Sequence, residues 1–132
     1  MISGTEKIKK ILRQNPDIEF AYLFGSRAKG SGDKRSDWDI AIYFNKAIDR
    51  LPEWRIFYLE AEISKKIGGE VQVIPLNNLD SPIFLFQVIN NGLILVDNKI
   101  EKRILYEAGI LNRYHDWHYF LRRHIKGKNG KK

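Results

Sequence analysis

A chain of 132 residues with no cysteine has room for one hydrophobic core rather than two ordinary domains, and it can build neither a disulfide framework nor a thiolate metal site. Hydrophobic residues make up 43% and charged residues 30%, no apolar run approaches the ~20 residues that span a bilayer, and nothing near Met1 resembles a signal peptide, so a cytoplasmic globular protein is expected. Most of the net charge of +7 sits at one end: Arg122 to Lys132 carries six basic residues and no acid, whereas Met1 to Leu121 carries 17 basic against 16 acidic.

Ser3-Gly-Thr-Glu6 has the form of a capping box, and Ile8, Ile11 and Leu12 follow at helical spacing until Asn15-Pro16 ends the run. Glu19 to Phe24 is aromatic and aliphatic and reads as a buried strand that stops where Gly25 lets the backbone turn. Ser26 then opens a short segment whose hydroxyl and free N–H groups suit phosphate oxygens. Arg27, Lys29, Lys34 and Arg35 add positive charge there against one acid, Asp33. From Asp37 to Phe44 the side chains alternate, which puts Trp38, Ile40, Ile42 and Phe44 on a core face and Asp37, Asp39, Ala41 and Tyr43 on the other. The two carboxylates are then about 6–7 Å apart at their Cα atoms, a spacing from which their oxygens can converge on hard cations such as Mg²⁺.

Beyond the loop at Phe44-Asn45-Lys46, Pro52 marks the first turn of a helix whose stripe of Trp54, Phe57, Tyr58, Ala61 and Ile67 is expected in the core, with a stop at Gly68-Gly69. Glu70 to Leu76 is a third strand, with Glu70, Gln72 and Ile74 sharing one face. Pro82 starts a helix in which Ile83, Phe84, Phe86, Val88 and Ile89 are expected to be mostly buried, and Leu93 to Val96 is a short strand at a sheet edge. A long helix from about Lys99 to His124 places Ile104, Leu105, Ala108, Leu111 and Phe120 at roughly helical intervals. Its segment Tyr114–Phe120 offers a metal pair at His115 and His118, a partner-binding patch or simple packing. The sequence lacks the glutamate of a zinc-protease helix, which favours the latter two. A single domain over 1–125 is expected, followed by a basic, disordered tail at 126–132 that would solubilise the chain or contact nucleic acid or an acidic partner.

Gly25-Ser26, ten residues, then Asp37-x-Asp39 resembles the signature of the minimal nucleotidyltransferase family of the DNA polymerase β superfamily, and the order of elements is similar over most of the chain. The nearest likeness is to antitoxin-type members paired with a HEPN-domain toxin, in which an aspartate like Asp116 stands near the end. This resemblance implies an α/β fold with a small mixed, mostly antiparallel sheet, helices packed on one face and the reactive face open. It implies transfer of AMP from ATP to a hydroxyl, by resemblance a tyrosine of the HEPN toxin. Asp37 and Asp39 would hold two Mg²⁺ ions, Gly25 and Ser26 the phosphates, and Arg27 or Lys29 would assist electrostatically. The family places a third carboxylate where this chain has Gln72, and a neutral amide can neither act as a base nor replace an anionic ligand. Glu70, two residues away on the same face, is the candidate for that role. A different reading follows from Gln72: a catalytically degenerate module that neutralises a toxin or contacts RNA by docking alone. Small-molecule acceptors are a third reading, disfavoured by the absence of a substrate domain.

Overall fold

The first strand, β1 (Ile18–Phe24), has six buried residues in succession, which a strand achieves only inside a sheet covered on both faces. The computed structural model describes residues 3–29, 37–77 and 79–129 and shows how that cover is made. The other elements are α1 (Gly4–Arg13), α2 (Ser26–Lys29), β2 (Trp38–Phe44), α3 (Trp54–Ile67), β3 (Val71–Pro75), α4 (Pro82–Asn91), β4 (Leu93–Asp97) and α5 (Ile100–Asn129), with a 3₁₀ turn at Ile48–Arg50. The sheet order is β3-β2-β1-β4. Neighbours of β1 run antiparallel to it, and β3 lies parallel to β2 after the α3 crossover. The mixed, mostly antiparallel α/β fold is as expected.

Helices cover both faces of the sheet, which corrects the expectation of one. Trp38, Ile40, Ile42 and Phe44 of β2 pack with Ile8, Ile11 and Leu12 of α1 and Leu59 and Ile63 of α3. On the other face Phe20 and Tyr22 of β1 and Ala41 of β2 pack with Leu85 and Val88 of α4 and Ile110 of α5. The physical reason lies in β1: its aromatic residues on the second face need an apolar cover as much as Ala21 and Leu23 do on the first. Asp37, just before β2, is exposed.

The long helices show where periodicity misleads. The buried residues of α3 are Leu59 and Ile63, with Ile56 and Ile67 packed against them, whereas Trp54, Phe57 and Tyr58 are 60%, 73% and 60% exposed. Leu59→Ala is therefore expected to cost about 2–5 kcal/mol. Phe57→Ser should stay within about 0.5 kcal/mol of the parent; denaturant unfolding of both variants checks the assignment. In α4 the core positions are Leu85 and Val88, while Ile83 is exposed. In α5 Ile104, Leu105, Leu111 and Phe120 are exposed and Ile110 is buried. That helix reaches Asn129, beyond the expected end near His124; residues 130–132 of the basic tail lie outside the described residues. Among the described residues no helix is long and apolar enough to cross a membrane.

Two polar ties fix the helices. The Ser3 hydroxyl accepts from the Glu6 N–H at 3.2 Å and caps α1 as the sequence predicts. Arg55 of α3 donates from Nε and Nη2 to both Asp17 oxygens, at 2.9 and 2.7 Å, and from Nη2 to Asn15 at 3.0 Å, clamping α3 to the α1–β1 loop. The hydrogen bonds from Arg55 hold Asp17 below the ordinary carboxylate range, against the opposing effect of burial. Stability from this pair is complete above the ordinary Asp pKa and fades as pH falls through the depressed one. Arg55→Ala should lower the unfolding free energy by about 2 kcal/mol at neutral pH. The difference from the parent should shrink in acid, as equilibrium unfolding at pH 7 and pH 3 would show.

Candidate active site

β1 and β2 run antiparallel with Phe24 opposite Asp39, so Asp39 projects from the second face beside the turn that ends β1. Gly25 makes that turn with φ +76°, a left-handed conformation that favours glycine. A Cβ built on Gly25 would lie 2.5 Å from Oδ2 of Asp39. Only a residue without a side chain lets the carboxylate lie against the backbone of the turn. Ser26 begins α2 exposed, and the Ala28 N–H closes the turn onto the Gly25 carbonyl at 3.2 Å.

Asp37 precedes β2 and is exposed, while Asp39 is half-buried. Burial first, and the neighbouring Asp37 charge second, push the Asp39 pKa above its ordinary value. Both effects act against the charged form. Two carboxylates so placed, one desolvated and repelled by the other, fit a divalent cation, which would remove the repulsion. Among the described residues no group of three or more His or acidic side chains is arranged to hold a metal.

The parallel β2–β3 register sets Gln72 beside Asp39 and Val71 beside Trp38. Gln72, which the resemblance aligns with the family's third carboxylate, is exposed. Glu70 lies just before β3, exposed, with its carbonyl accepting from the Trp38 N–H at 2.9 Å, which puts it level with Asp37. The structure thus brings Gly25 and Asp39 into contact and lines Glu70 up with Asp37. The guanidinium of Arg27 lies 4.3 Å over the Trp38 ring, on the face away from Asp39. Lys29 ends α2. Its side chain lies outside the described residues, as do Asp33, Lys34 and Arg35.

Two arrangements around the site join residues that are distant in the sequence. Trp38, between the two aspartates, is held by close approach of Gly4 and Gly69: a Cβ on Gly4 would meet the indole at 2.8 Å. A bulky residue flanked in space by glycines distant in sequence gives no local signal. The second is on α4. Phe24, Gly25, Phe84, Gln87, Val88 and Asn91 line a cleft of about 210 Å³ against the turn.

Residues 6–101 match the family model described as polymerase beta, nucleotidyltransferase. The protein adenylyltransferase MntA of Shewanella oneidensis is 31% identical over 87 residues, which is 65% of this chain and 60% of that protein's length. A protein of Methanocaldococcus jannaschii, provisionally named a protein adenylyltransferase, is 30% identical over 90 residues, covering 68% of this chain and 88% of that protein. A chain of a toxin–antitoxin crystal structure with AMP-PNP superposes with a TM-score of 0.73 at 24% identity, over 97% of this chain and 98% of that one. A structure of a tri-AMPylated Shewanella oneidensis HEPN toxin in complex with its MNT antitoxin matches with a TM-score of 0.68 at 22% identity, over 98% and 97%. These two likenesses show the shared fold. The family match across residues 6–101, together with the archaeal relative, shows that the chain belongs to the polymerase β nucleotidyltransferase family.

Proposed function

We propose that the protein transfers AMP from ATP, with Mg²⁺, to a tyrosine hydroxyl of a HEPN toxin and acts as the antitoxin of that pair. The observation that carries this reading is the contact between the Gly25 turn and Asp39, with Asp37 two residues away: a place for phosphates beside paired carboxylates. The adenylyltransferase names of the two relatives and the AMPylated toxin in a complex of the same fold support it.

Mg²⁺ held by Asp37 and Asp39 would neutralise charge on the phosphates during transfer. The chain's own residues orient the reactants. Gly25 and Ser26 would offer backbone N–H groups and a hydroxyl to the β and γ phosphates. The acceptor oxygen bonds to the α-phosphorus, the bond from that phosphorus to the bridging oxygen breaks, and pyrophosphate leaves. The acceptor proton goes to Glu70, which is level with Asp37 just before the adjacent strand β3. Glu70→Gln is accordingly expected to lower the transfer rate about 10²-fold with little change in ATP affinity.

The test is to mix the purified chain with a HEPN partner, ATP and Mg²⁺ and to search the partner by mass spectrometry for AMP adducts on tyrosine. Adducts with loss of toxin activity are the expected result. Gln72 beside Asp39 favours one other reading, neutralisation by docking without chemistry. Loss of toxin activity without adducts, unchanged in the double variant Asp37→Asn, Asp39→Asn, would establish that reading instead.

A further inference from the structure

The outer side of α3 carries the residues that the sheet leaves out. Trp54, Tyr58, Ala61 and Lys65 recur at steps of four, three and four and so form one exposed stripe, opposite the Leu59 and Ile63 stripe that faces the sheet. The Trp54 and Tyr58 rings meet edge to face at 5.9 Å. Tyr58 and Lys65 line a hollow of about 340 Å³ that reaches Lys66. Lys66 also borders a groove of about 350 Å³ between α3 and α1, which Lys7, Lys10 and Gln14 line from α1 together with the buried Ile11. The two hollows join at Lys66 into one track, with paired rings at one end and four ammonium groups at the other. None of the four lysines makes an ion pair among the described residues. One acid, Glu62, lines the track.

From Trp54 to Lys66 a helix rises about 18 Å, so a ligand that meets both ends is extended. Its chemistry follows from the two ends. Flat, exposed rings stack on bases, and unpaired ammonium groups on a surface meet phosphates. A duplex hides the faces of its bases, so the strand must be single, and splayed single-stranded bases that stack on aromatic side chains are the mark of RNA recognition. An acidic protein would satisfy the lysines alone. Protein partners bury aromatic anchors in fitted pockets, whereas these rings stand side by side on the outside of a helix.

We propose that α1 and α3 form a binding track for single-stranded RNA, with Lys7, Lys10, Lys65 and Lys66 on phosphates and Trp54 and Tyr58 stacked on bases. These helices cover the first face of the sheet, whereas Asp39 projects from the second. The track therefore stands independently of the nucleotidyl-transfer reading.

Fluorescence anisotropy with a labelled, unstructured RNA of about twelve nucleotides tests it. To keep the basic end of the chain out of the result, the full chain carries Lys126→Ala, Lys128→Ala, Lys131→Ala and Lys132→Ala, and every further variant is made in that background. The background protein should bind the single strand at least tenfold more tightly than duplex RNA or polyglutamate of equal charge. Lys10→Ala with Lys66→Ala should weaken binding at least tenfold and flatten the slope of log affinity against log salt by about 1.4, the share of two phosphates; arginine at both positions should restore it. Trp54→Ala with Tyr58→Ala should weaken binding about tenfold with the slope unchanged. All four positions are exposed, so melting temperatures should match the background. Absence of RNA binding at low salt, equal affinity for duplex or polyglutamate, or an unaltered affinity in either double variant would each overturn the track.

Discussion

Asp39→Asn is expected to make the protein more stable and at the same time inactive. The Asp39 carboxylate has no hydrogen-bond donor among the described residues, and burial and the Asp37 charge both raise its pKa. A carboxyl whose folded pKa is raised costs stability at any pH above that value, and the cost disappears as pH falls through it toward the ordinary value. Asparagine keeps the shape and removes the charge. Without metal, the variant should melt above the parent at pH 7. The two should converge on acidification toward pH 4, where the parent's carboxyl takes up its proton. Function should move the other way. With the proposed metal ligand neutralised, AMP transfer should fall by at least 10²–10³-fold. Mg·ATP, which should raise the melting temperature of the parent by mass action, should leave that of the variant unchanged. Thermal scans in chelator and in Mg·ATP measure both halves. A variant less stable than the parent in chelator would mean that the carboxylate is held for the fold.

The turn and its two aspartates were also the most legible part of the sequence, because every signal there is local. Gly25 ends an apolar run, and two aspartates one residue apart on an alternating strand must share a face. The third position was legible only through resemblance; the register sets Gln72 against Asp39. The cover on the second face was also present in the residues of β1, where Phe20, Tyr22 and Phe24 share one side. An open face would have left all three rings in water.

What periodicity alone could not decide is which of two stripes a helix buries. In α3 the aromatic set of Trp54, Phe57 and Tyr58 and the aliphatic set of Ile56, Leu59, Ile63 and Ile67 both recur at helical spacing. The sheet takes the aliphatic set, whose branched side chains pack against Ile40 and Ile42, and leaves the larger rings outside. The same ambiguity hid Ile110 of α5 behind Ile104, Leu105 and Leu111. The α4 cleft was illegible for another reason. Its two halves, Phe24-Gly25 and Phe84 to Asn91, are about sixty residues apart in the chain and meet only because α4 packs on β1 and β4 then returns along the sheet edge.

Gly25→Ala is expected to injure the site more than the fold. At φ +76° a side chain costs about 1–2 kcal/mol of backbone strain. The added Cβ also falls 2.5 Å from Oδ2 of Asp39, so the carboxylate must rotate away from the turn. Its removal from the phosphate end should weaken Mg·tripolyphosphate binding at least tenfold, beyond what a loss of 1–2 kcal/mol in global stability could produce at a temperature where the variant remains folded. The two costs separate in a double-mutant cycle. In an Asp39→Ala background the clash is gone and only the backbone strain remains, so Gly25→Ala should destabilise less there than in the parent. A coupling above about 0.5 kcal/mol between the two positions, measured by denaturant unfolding of the four proteins, is the expected result. Additivity would show that the turn and the carboxylate do not touch, and the arrangement of phosphates beside metal would lose its structural basis.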